Sequence, residues 1–528
     1  MIVTKLRMDV NKHTIIKSVG NISAATMICR VFGFIRDALV AYLFGATVIS
    51  DAFYAAYRIA NLFRRLFGEG AFASAFIPVF THHKHHNRSS AHDFARTMIG
   101  NLLVVVLFLT MLGILTAPLL VRILASGFSD NPDQMRLTVL LAQIMFPYFV
   151  FISLAACLMG VLQVHKRFFV PALAPIMLSI SIIAYCTGVI PLCGSQWNLA
   201  TKVVGLSVSV LIGGLGQFAF MIPSYLREGF SLLPRLDFHH PGPRRVFKLM
   251  MPAMYGISID QINMFISATF LASFLTDGSV TALYYADRLT QLPLALFGIA
   301  SATVALPLMS QAVAQQRVED LKNTLEFSLR MIGFAVIPSI VGLIVIGHPI
   351  IELLFERGAF DQRASLLTYR ALVPFSIAVM FFSIVKLLAN AFYAMQNMVK
   401  PVVIATCSMC VNIGAAIVLM RSYGVAGIAS ATCISSMVNA LLLYYYIRRS
   451  IGSLFGKDLL RSYIKILCAS VIMGAGVFLL MDKLSSFMLV IRVVLSICGG
   501  VGLYMIAAQV INIEERKHIM SLFRRKPS

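Results

Sequence analysis

The chain has 528 residues, of which 59% are hydrophobic and 12% are charged. Soluble domains carry about 25% charged residues, so this composition excludes an ordinary soluble fold. The formal net charge is +22, which in a soluble protein would suggest a nucleic-acid partner. Apolar runs of roughly 20 residues recur along the chain, each long enough to cross a bilayer as a helix. We therefore expect an all-α polytopic membrane protein.

The basic residues are concentrated in the loops on one side of the expected spans. Fourteen spans can be drawn, with centres near residues 28, 65, 108, 149, 181, 212, 261, 297, 336, 380, 411, 436, 471 and 500. The loops and tails on the side of the two termini carry about fourfold more Lys and Arg than the opposite loops. Positive loops face the cytoplasm, so both termini are predicted to be cytoplasmic. Topology thus explains the charge, and no nucleic-acid binding is predicted.

The first two spans contain ionised side chains, which are costly in lipid. Span 1 carries Arg30, Arg36 and Asp37 in the stretch RVFGFIRD. Polar residues of span 2 recur every three or four positions, which places them on one helical stripe. These residues are Asp51, Tyr54, Arg58, Asn61, Arg65 and Glu69. Arg64 lies off this stripe in a regular helix, so periodicity favours Arg58 and Arg65 as cavity residues.

The longest hydrophilic connection, residues 227–248, divides the first twelve spans into two sets of six. Residues 52–68 and 282–298 match at eight of seventeen positions without a gap, including Arg58 with Arg288. The same offset of 230 residues relates Pro171 to Pro401. An even number of spans separates the two copies, which predicts two pseudo-symmetric six-helix lobes in parallel orientation. The expected units are residues 14–228, residues 244–450 and two extra helices in residues 458–512.

Span 8 repeats the charged pattern with Asp287, Arg288 and Gln291, followed by Pro293. A proline inside a span frees a backbone carbonyl, which must be satisfied by protein or water. One interpretation is that the acidic and basic groups form internal ion pairs, such as Arg36 with Asp37. Spans 1, 2 and 8 together nevertheless have more arginines than carboxylates. This excess predicts a water-filled cavity for an anion such as a phosphate, because guanidinium groups bind phosphate oxygens bidentately.

Other candidate residues are weaker. Lys386 is either a further cavity cation or a side chain that reaches the interface, and Asp260 and Asn412 are candidate ligands of a coupling ion. The pair Cys407 and Cys410 and the HHKHH stretch at 82–86 lack partner ligands, so no metal site is predicted. No nucleophile elbow, phosphate-binding loop or zinc-binding helix motif is present, and no catalytic residue or enzyme activity is predicted.

Three stretches resemble the MurJ (MviN) lipid II flippases, over essentially the whole chain. They are CRVFGFIRDALVAYLFGA (29–46), DAFYAAYRIANLFRRLFGEGAFASAFIPVF (51–80) and YYADRLTQLPLALFGIA (284–300). The resemblance implies the multidrug/oligosaccharidyl-lipid/polysaccharide exporter fold, with two six-helix lobes around a cationic cavity. The last two helices would form a groove for a lipid tail. The implied cavity residues are Arg30, Arg36, Asp51, Arg64, Glu69 and Arg288.

The implied activity is translocation of lipid II, the undecaprenyl-pyrophosphate-linked peptidoglycan precursor, from the cytoplasmic to the periplasmic leaflet of the bacterial inner membrane by alternating access. Membrane lipids and cell-wall synthesis proteins are the implied partners, and no cofactor is implied. Membrane potential, sodium or protons could supply the energy. Two positions depart from the family pattern: Ala60 stands where proline is usual, and Gln291 where glutamate is frequent.

Three alternatives remain. The first is a flippase for another lipid-linked oligosaccharide, which charge alone does not separate from lipid II. A multidrug or cation antiporter on the same fold is the second, but its cavity should be acidic or aromatic. A membrane scaffold without transport is the third, and it would not need repeated intramembrane arginines.

Overall fold

The computed structural model of the protein describes residues 24–64, 71–452 and 456–517, and every regular element within these ranges is helical. A helix satisfies its own backbone hydrogen bonds, which the bilayer requires of any spanning segment. Among the described residues, eleven helices are long and apolar enough to cross a membrane. The all-α polytopic prediction is therefore confirmed.

The first half of the described chain contains the helices that we number α1 to α11. In order they are 24–44, Val48–Phe63, Ala71–His86, Arg88–Leu124, Pro132–Met145, Tyr148–Val164, Phe169–Leu173, Ile176–Ala184, Ile190–Cys193, Leu199–Arg227 and Pro241–Phe265. A π-helical turn, Tyr185–Val189, joins α8 to α9, and a 3-10 turn, Ser126–Asp130, precedes α5. Thr47 caps α2 in a capping box with Ser50.

The second half contains α12 to α19. They are Ser279–Pro293, Ala300–Ala314, Val318–Leu354, Gln362–Ala394, Val399–Tyr423, Val425–Ile451, Lys457–Lys483 and Leu489–Val510. Two π-helical turns, Ile266–Leu271 and Leu294–Ile299, interrupt the regular helices, and the second directly follows Pro293. The helical geometry of span 8 therefore changes from α to π directly after this proline.

Helix boundaries repeat at the offset that links Arg58 to Arg288. Both α4 and α14 have 37 residues, and α14 begins and ends 230 positions after α4. The pairs 132–164 with 362–394 and 169–193 with 399–423 obey the same offset. The pseudo-symmetric lobes therefore extend well beyond the short stretch in which the sequence repeat is visible, and α18 and α19 follow the second copy.

The division into compact units differs from the expected boundary. The chain divides between Phe265 and Ile266, whereas the sequence predicted a division within the connection at 228–244. The reason is that α11 packs against α3 and α4 of the first unit. The functional lobe limits 14–228, 244–450 and 458–512 remain predictions.

Three of the fourteen expected spans do not count among the eleven apolar ones. They correspond to 24–44, to 48–86 with its undescribed gap at 65–70, and to 241–274. The first two carry the candidate charges, and the uninterrupted apolar part of the third is only Gln261–Phe274.

Residues 228–240 form a strap across the first unit. Asn101 of α4 donates from Nδ2 to the carbonyl of Asp237 at 2.7 Å and accepts from the Asp237 amide at 3.1 Å. The Arg235 amide donates to the carbonyl of Arg96 at 3.1 Å. A Cβ on Gly100 would collide with the Arg235 carbonyl oxygen, so only glycine permits this approach. At the start of the strap, Phe230 is buried.

The last two helices belong to the second unit and pack there against α14. Tyr504 of α19 donates its hydroxyl to the carbonyl of Phe334 at 2.8 Å, and Tyr463 of α18 donates to that of Leu329 at 3.0 Å. Tyr504 and Phe334 belong to one buried cluster of α14, α18 and α19 side chains, whereas Tyr463 and Leu329 lie in a second cluster. Ser462 also donates to the buried carboxylate of Glu515 at 2.7 Å. These helices are therefore joined to the fold by polar as well as apolar contacts.

Candidate functional site

The ionised residues of α1 lie at different depths. Arg30 is half-buried, whereas Arg36 and Asp37 are 8% and 2% exposed. Arg36 donates to Oδ1 of Asp37 from Nε at 2.9 Å and from Nη2 at 2.6 Å. This is the internal ion pair that the sequence suggested. It satisfies part of the Arg36 guanidinium, which has five N–H donors, and compensates the cost of burying both charges.

Residues 51–60 of α2 are buried or half-buried on every face, so its polar residues lie inside protein together with their apolar neighbours. Asp51, Tyr54 and Arg58 are buried, and Asn61 is half-buried. The stripe therefore faces protein.

Arg58 lines a small cavity within the first unit. The cavity has a volume of about 40 Å³ and is lined by Arg58, Asn61, Leu62, Gln261, Met264 and Phe265. It brings the middle of α2 next to the end of α11, with a guanidinium and two amides at its wall. A space of this size holds one or two waters. The sequence did not single out Gln261, although Asp260 beside it was a candidate.

Arg64 follows the last residue of α2, and its Nε donates a hydrogen bond to Oδ1 of Asn61. Asn61 thus contacts one arginine and lines a cavity with another. Periodicity favoured Arg58 and the family pattern favoured Arg64, and both residues lie close to Asn61. Two further candidates, Arg65 and Glu69, lie outside the described residues.

In the second unit the charged group lies on α12. Asp287 and Arg288 are half-buried, and Gln291 donates from Nε2 to Oδ2 of Asp287 at 2.9 Å. The π-helical turn after Pro293 begins one residue beyond the helix end. Irregular backbone in a span is tolerated where it is buried in protein or lines a water-filled space, and such turns are frequent at functional sites.

The remaining candidates have different surroundings. Lys386 is exposed on α15. Asn412 of α16 is 1% exposed and donates from Nδ2 to Oγ of Ser267 at 2.6 Å. Asp260 lies on α11, but its side chain is outside the described part of the structure. Within the described residues, no three His, Cys, Asp or Glu side chains are grouped as metal ligands.

Each unit thus presents buried or half-buried arginines close in sequence to amides and carboxylates, and in the second unit α12 continues into a π-helical turn. Guanidinium groups in a low-dielectric wall attract anions more strongly than they would in water. Hydrogen bonds to Asp37 and Asn61 orient Arg36 and Arg64, respectively. Such an arrangement suits recognition of a phosphate-bearing molecule.

The fold is that of the transporters of the MOP superfamily. An inward-facing multidrug resistance transporter of the MATE family superposes with a TM-score of 0.66, at 15% identity, over 83% of this chain and 98% of the transporter. A solved lipid II flippase MurJ in an inward closed conformation superposes better, with a TM-score of 0.77 and 26% identity. It covers 93% of this chain and 98% of the flippase.

The family model described as lipid II flippase MurJ matches residues 40–498. A probable lipid II flippase MurJ of Vibrio cholerae is 35% identical over 438 residues, which are 81% of this chain and 82% of the relative. The lipid II flippase MurJ of Burkholderia cenocepacia is 34% identical over 436 residues, 81% of this chain and 83% of the relative. The chain belongs to the MurJ lipid II flippase family.

Proposed function

We infer that this multi-pass membrane protein is a transporter that flips lipid II across the bilayer, and not an enzyme. The observation that carries this function is the match to the MurJ family over residues 40–498, on a fold whose charged helices are net basic. Lipid II carries a pyrophosphate, and the arginines of α1, α2 and α12 have the chemistry to bind it. A cation exporter would instead need an acidic or aromatic cavity.

For the site, we assign the pyrophosphate to Arg30, Arg36, Arg64 and Arg288, with Arg58 and Arg65 as further cationic residues. Asp51, Glu69 and Asp287 would compete for the same guanidinium groups and so limit affinity. A flippase must release its substrate, and each ~1.4 kcal/mol of excess affinity slows release about tenfold. The bond of Arg64 to Asn61 and the pair of Arg36 with Asp37 support this balance, because both arginines are oriented before any substrate arrives.

Transport is expected to proceed by alternating access from the cytoplasmic to the periplasmic leaflet of the inner membrane. The excess of Lys and Arg on the side of the termini supports cytoplasmic termini. Outward movement of an anion gains about 2.3 kcal/mol per charge per 100 mV from an inside-negative potential. Asp260 and Asn412 are the proposed ligands if sodium or protons contribute as well. Cell-wall synthesis proteins are the expected partners.

Complementation of a strain depleted of its lipid II flippase tests this function. The wild-type chain should restore growth, and Arg288→Ala should fail although it inserts at a normal level. Arg288→Lys should restore growth only in part, since an ammonium keeps the charge and loses the bidentate geometry. Asp287→Ala is the matched neighbour variant. If Arg288 only stabilised the protein, both alanine variants would lower its amount equally, and that result would contradict the pyrophosphate role.

A wild-type chain that inserts and does not restore growth would contradict lipid II as the substrate. Flipping of purified lipid II in vesicles would separate this outcome from a failure of expression. Comparison with another polyprenyl-pyrophosphate oligosaccharide in the same vesicles tests the alternative substrate directly.

A further inference from the structure

A second basic pocket lies in the first unit, where α6, α7 and α10 end or begin. It has a volume of about 390 Å³, which is within the range of ligand pockets. Its lining residues are Lys166, Arg167, Phe168, Phe169, Val170, Ser224, Arg227 and Glu228. Three cations and one carboxylate give this wall a net positive charge. None of these residues belongs to the charged groups of α1, α2 or α12.

The backbone at this pocket does not require basic residues. Lys166 has a left-handed φ of 61°, and its counterpart at the offset of 230, Gln396, has a φ of 58°. The amides of Lys166 and Arg167 donate to the carbonyls of Gln163 and Leu162, both at 2.9 Å. The amides of Gln396 and Asn397 donate to the equivalent carbonyls of Tyr393 and Phe392, at 3.0 and 2.9 Å. The two turns thus have the same conformation. The sequence Gln–Asn forms this turn as well as Lys–Arg does, so the turn itself does not require cations.

Arg167 also lacks a helix-capping hydrogen bond that its counterpart in the second lobe, Asn397, makes. Oδ1 of Asn397 accepts a hydrogen bond from the Lys400 amide at 3.2 Å, at the start of α16. An arginine has no acceptor atom and cannot replace this bond. Arg167 therefore stabilises its turn less than Asn397 stabilises the equivalent turn, but it places a second cation next to Lys166.

Glu228 orients Arg167 toward the pocket. Nε of Arg167 donates to Oε1 of Glu228 at 2.8 Å, and the arginine side chain is 68% exposed. Because this bond uses Nε, the two terminal NH₂ groups remain as a fork that suits phosphate oxygens. Lys166 and Arg227 are exposed beside it. The pocket is thus open, cationic and equipped with one oriented guanidinium.

Exposed apolar side chains next to these cations point to the kind of ligand. Phe169 of α7 is 44% exposed, and Leu226, in the last turn of α10, is 48% exposed. Both lie at the end of membrane spans, where apolar side chains contact acyl chains and cations reach the headgroups. A soluble anion would gain nothing from this apolar rim.

We propose that this pocket binds the headgroup phosphate of an anionic phospholipid, whose acyl chains lie along Phe169 and Leu226. Basic pockets between transmembrane helices are known to hold such headgroups. The binding is independent of lipid II transport, since the residues of the pocket are separate from the proposed pyrophosphate ligands.

The test uses the full-length protein and native mass spectrometry with added phosphatidylglycerol or phosphatidylcholine. The informative variant is Lys166→Gln with Arg167→Asn, which gives the turn the residues that its counterpart already has. The matched control is Lys400→Gln, which removes a cation near the counterpart turn. Nζ of Lys400 lies 5.7 Å from the ring centroid of Tyr446. Both proteins should fold, and circular dichroism and thermal unfolding verify this.

Wild-type protein and the Lys400→Gln control should retain phosphatidylglycerol in preference to phosphatidylcholine. The double variant should lose about 30-fold in apparent affinity for phosphatidylglycerol, since two cations near the surface are removed. Equal retention by the folded double variant would overturn the site. Displacement of phosphatidylglycerol by millimolar inorganic phosphate would show a soluble-anion site and would overturn the lipid assignment.

Discussion

Gln291 and Asp287 are joined on α12 by a hydrogen bond of 2.9 Å from the amide nitrogen to one carboxylate oxygen. They are four residues apart and therefore face the same side of the helix. The Asp287 carboxylate thus accepts a hydrogen bond from a neutral amide, and Arg288 lies between Asp287 and Gln291 in the sequence. The frequent glutamate of the family at this position would change the local charge by one unit and remove this donor.

Gln291→Glu should lower the affinity for lipid II about tenfold, because a second carboxylate repels the pyrophosphate and competes for Arg288. Gln291→Met is the control that removes the hydrogen bond without adding charge, and its affinity should change less. Binding to protein in nanodiscs measures both. Equal effects of the two substitutions would mean that the hydrogen bond, and not the charge, matters at this position.

The buried pair of Arg36 and Asp37 predicts a large stability effect. Asp37→Asn removes the carboxylate that accepts two hydrogen bonds from the buried Arg36 guanidinium. Breaking a buried ion pair costs about 3–5 kcal/mol, so this variant should have a lower unfolding temperature in detergent. The double variant Arg36→Met with Asp37→Leu should recover most of that stability. If Arg36 also binds substrate, the double variant will be stable but inactive in complementation. A stable and active double variant would reduce Arg36 to a structural role.

Asn412 and Ser267 allow a test of sodium coupling. If Asn412 is an ion ligand, sodium should raise the unfolding temperature of the wild type above its value in potassium. Asn412→Leu should remove that difference. Ser267→Ala removes the 2.6 Å hydrogen bond and serves as the control for a purely structural effect. A sodium shift that survives Asn412→Leu would exclude Asn412 as a ligand.

The proposed orientation can be measured by labelling single cysteines in a cysteine-free background. Asp277 and Leu236 are both exposed, so each position is accessible to a reagent on its own side of the membrane. In intact cells, an impermeant thiol reagent should label Asp277→Cys and should not label Leu236→Cys. After permeabilisation, both should react. The reverse result in intact cells would invert the topology.

Removal of α18 and α19 tests their role beyond the two lobes. A chain that ends near residue 455 should still insert, but it loses the hydrogen bonds of Tyr463 and Tyr504 to α14. We expect a lower unfolding temperature and no lipid II flipping in vesicles. A shortened chain that flips lipid II at the wild-type rate would contradict the tail-groove assignment.

Much of the fold was predictable because the bilayer restricts the possible structures so strongly. The length of the apolar runs predicted the membrane spans, and the match that aligns Arg58 with Arg288 predicted the internal repeat. The larger extent of the repeat, through α4 and α14, was not visible because lipid-facing positions require only hydrophobicity. The identity of such residues can change without affecting the helix boundaries.

The site was predictable only within single helices. Spacing identified the stripe of α2, and the adjacent charges of Arg36 and Asp37 suggested their pair. The meeting of Arg58 with Gln261 depends on how α2 and α11 are placed, and no local pattern encodes it. The packing of α11 against α3 and α4 likewise depends on tertiary placement, which the hydrophilic connection before α11 does not encode.

Proteolysis after Arg235 can report how often the strap, residues 228–240, detaches from α4. A protease must draw an extended backbone into its active site, whereas Arg235 is attached to α4 through its own amide. Trypsin should therefore cut after Arg235 only when the strap detaches. The cutting rate then follows the population of the detached form. Replacement of Gly100 by alanine would force the Arg235 carbonyl away and should turn a slowly digested segment into a rapidly digested one.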